Sequence, residues 1–136
     1  MRRVVDTSVA LKWVVPERGT QAALAWVGEM LVAPDLIRAE LANALWKKVR
    51  RGEMSAEQAL PALEKASAPL ALLPDGAFAE DALAIALELS HPVYDCFFLA
   101  LASRLNLPLL TADKRLIGAC SGSAYAGLLE EVDSKR

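Results

Sequence analysis

The side chains in this sequence best suited to chemistry are carboxylates. Asp6 follows the apolar run Arg3-Val4-Val5, and Asp113 follows a second apolar run over 107–111. Asp95 falls in the first turn of a helix that Pro92 opens. Glu40 lies beside the apolar stripe of a helix over 36–51. Each has an ordinary reading when taken alone. Asp6 and Asp113 suit helix N-caps, Asp95 suits the positive end of a helix dipole, and a helical glutamate such as Glu40 is commonly a solvated surface group. Taken as a set, two stand at strand ends on one sheet edge and two open or line flanking helices. An all-oxygen donor set is what hard cations prefer. Two carboxylates about 4 Å apart repel by roughly 4 kcal/mol at an effective dielectric of 20. Several together stay ionised only with a cation present, or else they take up protons. The set therefore predicts a bound divalent ion.

Other reactive residue types are scarce. His91 is the only histidine, which excludes a multi-histidine metal site, and any histidine-based nucleophile would rest on it alone. Its place before Pro92 reads as a loop position. Cys96 and Cys120 are too few for a disulfide framework and lack zinc-ligand spacing. Cys96 sits in an apolar stretch and reads as a small core residue.

The elements that must position the acids alternate along the chain. Short apolar strands are expected over 3–5, 31–33, 70–73 and 107–111, with a last edge strand near 125–128. Between them, polar Asp6-Thr7-Ser8 starts a helix, Gly19 opens another over 19–30, and Gly52 closes the helix over 36–51. Ser55 with Gln58 forms a capping box for the next helix, in which Pro61 implies a kink or restart. Helices over 76–89, from Pro92 to 105, and over 113–119 complete the series. Strands alternating with helices imply an α/β fold with a parallel sheet covered on both faces. Continuous apolar strands suit that double burial. Ligands of such sheets bind beyond the carboxyl ends of the strands, where Asp6 and Asp113 stand.

The 136 residues, 54% hydrophobic and 24% charged, read as one globular domain over 1–136. No apolar run approaches the roughly 18 residues of a membrane span. Asp6 and Lys12 interrupt any export signal that Arg2-Arg3 could begin, so a cytoplasmic location and no membrane association are expected. The net charge of −2 argues against nucleic acid only at first sight. Charge is local, and Lys47, Lys48, Arg50 and Arg51 form one basic cluster, Lys114 and Arg115 another. Such clusters are also ordinary solvated helix faces.

The acids stand in segments that resemble a known family. Val4-Val5-Asp6-Thr7-Ser8-Val9 resembles the opening of a PIN domain, and Glu40-Leu41-Ala42-Asn43-Ala44-Leu45 its second acidic motif. The stretch from Val93-Tyr94-Asp95-Cys96 to Ala102, and Leu110-Thr111-Ala112-Asp113-Lys114-Arg115-Leu116, resemble the third and fourth. Cys96 stands where a smaller residue, often alanine, is expected. The ordered set, more than any single motif, carries the likeness, and the short length is most similar to VapC-type toxins.

The resemblance implies a three-layer fold with a parallel sheet of order 3-2-1-4-5 between helices. Asp6 would then stand beside Asp113, with Glu40 and Asp95 facing the same crevice. All four would be catalytic and hold Mg²⁺ or Mn²⁺, with Thr7, Ser8, Asn43 and Thr111 orienting a carboxylate or a water. The implied activity is RNA phosphodiester hydrolysis by an endoribonuclease leaving a 3′-hydroxyl and a 5′-phosphate. Lys12, Lys47, Lys48, Arg51, Lys114 and Arg115 are the candidates for holding RNA at the rim, and Trp13 and Trp46 are open as base-stacking residues. The likeness further implies a homodimer and a cognate antitoxin presenting an arginine to the acids. The alternative is a non-catalytic RNA- or protein-binding module of the same fold. A receiver-like phosphoacceptor or dehalogenase-like phosphatase fits less well, since Ser8 stands where the latter needs a second aspartate.

Overall fold

The computed structural model describes residues 2–134. Five strands, β1 (Arg2–Val5), β2 (Met30–Pro34), β3 (Leu70–Leu73), β4 (Leu109–Thr111) and β5 (Leu129–Glu131), form one sheet of order β3-β2-β1-β4-β5. Every neighbouring pair is parallel. Seven α-helices connect the strands: α1 (Thr7–Lys12), α2 (Thr20–Leu24), α3 (Leu36–Arg50), α4 (Ala56–Ser67), α5 (Ala79–Leu89), α6 (Val93–Leu105) and α7 (Lys114–Cys120). This is the α/β architecture and strand order expected.

The pairing explains how distant acids meet. Val5 pairs with Leu110, and the Asp6 N–H donates to the Leu110 carbonyl at 3.3 Å, so β1 and β4 end side by side. Val4, Val5, Leu109 and Leu110 are fully buried, as expected of central strands covered on both faces. α6 contributes an unbroken buried run from Phe98 to Ala102, which anchors Asp95 one turn earlier. α3 turns Ile37, Leu41 and Leu45 to the core, leaving Glu40, Asn43 and Lys47 on another face. Its N-terminus is capped from a distance: the Leu36 N–H donates to Asp75 Oδ2, beyond β3.

Some boundaries differ from expectation. The helix foreseen over 19–30 is only Thr20–Leu24, because the chain turns at Trp26 to enter β2. The last strand lies at Leu129–Glu131, not near 125–128, where a 3₁₀ turn occupies Ala126–Leu128. α4 runs through Pro61 without interruption. Pro61 is exposed, as is Glu57, whose carbonyl loses its helical partner to the proline. The Ser55–Gln58 capping box is present in full.

Candidate active site

Asp6 caps α1, its Oδ1 accepting the Val9 N–H at 3.3 Å. Ser8 Oγ donates to the same oxygen at 2.5 Å, and the Thr111 hydroxyl donates to Oδ2. Ser8 Oγ also accepts the Ala112 N–H at 2.9 Å, and Thr111 Oγ1 the Asp113 N–H at 3.0 Å. A lattice of two hydroxyls thus joins the ends of β1 and β4 around one carboxylate. That carboxylate is only 5% exposed. Burial pushes its pKa up to about 7, and the charge of Asp95 adds to the rise, while the bonds from Ser8, Thr111 and Val9 oppose it.

Glu40 meets the site from α3. Thr7 Oγ1 donates to Glu40 Oε1 at 2.6 Å. Burial raises the Glu40 pKa, the Thr7 bond lowers it, and Asp95 raises it again. Asp95 stands in the first turn of α6, and its charge bears on both Asp6 and Glu40. Asp113 caps α7, with Oδ1 accepting the N–H groups of Arg115 at 2.9 Å and Leu116 at 3.4 Å.

All four acids line one open crevice of about 250 Å³, together with Thr7, Ser8, Asn43 and Lys47. Among the described residues no three of the Asp, Glu, His or Cys side chains form a ready-made metal cage. A hydrated Mg²⁺ does not require such a cage, since it keeps several waters and takes one or two carboxylates plus substrate phosphate. The donor set, all carboxylate with hydroxyls behind it, suits the same ion. The elevated Asp6 and Glu40 values share one main cause, burial of the carboxylate, to which the charge of Asp95 adds in both.

The basic residues divide. Lys47 lines the acidic crevice, and Arg51 and Arg115 are exposed. Lys12 is held by Glu17 at 3.2 Å and the Arg18 carbonyl at 2.7 Å. Lys48 lies 3.8 Å from Glu17 and 3.3 Å from Glu53. Lys114 pairs with Glu131 at 3.0 Å and, with Lys12, lines a neighbouring hollow of about 400 Å³ beyond Thr111. Trp13 is buried and donates its indole N–H to the Ala23 carbonyl at 2.9 Å, which removes it from any base contact. Trp46 is 53% exposed, with the Arg50 guanidinium 5.2 Å from its ring centre.

With this geometry in place, a family model described as "PIN domain" matches residues 3–120. The chain belongs to the PIN-domain family. It is 36% identical over 121 residues to Ribonuclease VapC3 of Pyrobaculum aerophilum, spanning 85% of this chain and 92% of that one. A crystal structure from the same organism superposes on this PIN domain with a TM-score of 0.74 at 24% identity, over 98% of this chain and 91% of that one. VapBC2 of Rickettsia felis, solved bound to a DNA fragment from its promoter, gives 0.67 at 14% identity, over 96% and 98%. At those identities the two structures speak for the PIN fold alone.

One contact of this PIN domain escapes sequence reasoning. His91 has the loop position expected of a residue before proline, yet its side chain is only 8% exposed and its Nε2 lies 2.7 Å from Asp95 Oδ2. The spacing of four residues between them is the one signal the sequence offers.

Proposed function

We propose that this protein is a VapC-type toxin, an endoribonuclease that hydrolyses RNA phosphodiesters with a divalent cation, Mg²⁺ or Mn²⁺. The observation that carries the reading is the convergence of Asp6, Glu40, Asp95 and Asp113 on one crevice at the carboxyl ends of β1 and β4. The likeness to a ribonuclease over most of both chains supports it.

Asp6, Glu40, Asp95 and Asp113 are the residues that would hold the cation. When bound, a divalent ion activates water as the nucleophile and offsets charge developing on the phosphate. Ser8 and Thr111 keep the Asp6 carboxylate in one orientation, and Thr7 does the same for Glu40. Asn43, on the crevice wall, supplies an amide able to donate to a phosphate oxygen. Lys47 offers a positive charge at the edge of an otherwise acidic crevice, where an RNA backbone has to be drawn in. Arg51 and Arg115 extend that charge, and Lys12, Lys48 and Lys114 contribute after exchanging their present acidic partners for phosphate.

The reading includes a cytoplasmic location, a homodimer and an antitoxin partner. Exposed apolar side chains on α3 and α4 (Trp46, Leu60) and on α5 (Leu83, Leu87) support protein partners. The solved VapBC2 and a toxin–antitoxin complex from Klebsiella pneumoniae share the fold. Mapping the ends of cleaved RNA tests the chemistry. Fragments with 5′-phosphate and 3′-hydroxyl ends agree with water attack in an acid-lined site, and 2′,3′-cyclic phosphate ends contradict it.

A further inference from the structure

We propose that His91 is a positioning residue for Asp95: its ring N–H holds one oxygen of that carboxylate and so sets how Asp95 meets the cation of the nuclease site. This rests on the metal-dependent reading above. The contact is short, 2.7 Å from His91 Nε2 to Asp95 Oδ2, and the imidazole is largely withdrawn from water. An ionised carboxylate only accepts hydrogen bonds, so the facing Nε2 must carry the proton. The neutral tautomer protonated at Nε2 provides that donor.

The backbone around His91 fixes the ring in place. Ser90 ends α5 in the left-handed region at φ 52°, and the His91 N–H returns to the Ala86 carbonyl at 3.1 Å. That six-to-one bond is one component of a Schellman helix end. Pro92 comes next with its φ locked, at −53°, and α6 begins at Val93. The α5–α6 corner is therefore determined on both sides of His91, and from it the ring reaches one turn forward to the acid.

Asp95 is the acid whose charge bears on both Asp6 and Glu40. Thr111 and Ser8 hold Asp6, Thr7 holds Glu40, and backbone N–H groups hold Asp113. His91 completes the pattern by giving Asp95 its own donor. Outer donors of this kind orient the carboxylates that take a metal, and their loss typically lowers metal affinity or activity about 10–100-fold.

The test is Mn²⁺ binding by calorimetry to the purified protein and to His91→Gln, His91→Leu and Asp95→Asn, with each melting temperature measured in chelator. Leucine fills the space with no donor, and His91→Met replaces it should the leucine variant not fold. Glutamine presents an N–H near the position of Nε2. The expected result is Mn²⁺ affinity lowered at least tenfold in His91→Leu and largely retained in His91→Gln. Wild-type affinity in His91→Leu, with binding lost in Asp95→Asn, overturns the proposal and leaves the metal reading intact. Equal loss in His91→Gln and His91→Leu overturns the donor role. No Mn²⁺ binding by the wild type overturns the metal reading and the proposal with it.

Discussion

Thr111 donates its hydroxyl hydrogen to Asp6 Oδ2 across the seam between β1 and β4, and the Thr111 Oγ1 itself accepts the Asp113 N–H. One side chain therefore couples two acids that are far apart in the chain. Thr111→Val keeps the shape and removes both bonds. A hydrogen bond to a charged group contributes about 1.5–3 kcal/mol, so cleavage is expected to fall about tenfold or more while the protein stays folded. Steady-state cleavage rates with circular dichroism check this; wild-type rates in Thr111→Val would remove the orienting role.

Stability without metal should depend on pH through Asp6. Its pKa is raised from 3.8 to about 7 in the folded protein, so the folded state holds the proton more tightly than the unfolded state. The stability this contributes is complete below the unfolded value and is lost as pH rises through the folded one. The slope from one such group is at most about 1.4 kcal/mol per pH unit. Melting temperature in chelator should fall from pH 5 to pH 8, and Asp6→Asn should flatten that fall. Glu40, also raised, acts in the same direction. An unchanged slope in Asp6→Asn would assign the effect to other groups.

Glu40→Gln separates catalysis from folding. Glu40 is half-buried and accepts from Thr7 at 2.6 Å, a bond the Gln carbonyl can also accept. RNA cleavage should drop at least a hundredfold, with the melting temperature in chelator equal to or above that of the wild type. A marked loss of stability would show that the carboxylate serves the fold first.

Lys47 and Lys48 are adjacent in sequence and differ in surroundings. Lys47 lines the crevice, whereas Lys48 faces Glu17 and Glu53. Lys47→Ala should weaken RNA binding and lower the salt slope by about one. Lys48→Ala should change RNA affinity less than Lys47→Ala does. Binding titrations across salt concentrations on a cleavage-dead background distinguish them, and the reverse order would redraw the RNA path.

Much of this architecture is legible in the sequence because local rules and global fold agree. Asp6 and Asp113 read both as helix caps and as site acids, and the structure makes both descriptions true: each caps its helix through hydrogen bonds to backbone N–H groups and lines the crevice. Glu40 is less legible, because its distinction from a surface glutamate lies in Thr7, 33 residues earlier. Strand adjacency comes from family likeness, since periodicity does not say which strand pairs with β1. The late position of β5 reflects a 3₁₀ turn with a weak local signature. His91 reads as loop backbone and is so, but the reach of its ring to Asp95 depends on the α5–α6 corner geometry.

Metal-dependent RNA cleavage by the acidic crevice is tested with a mixture of structured RNAs, wild-type protein and Asp95→Asn, each with Mg²⁺ and with chelator. Cleavage is expected only from the wild type with metal. Equal cleavage by Asp95→Asn, or by the wild type in chelator, would contradict it.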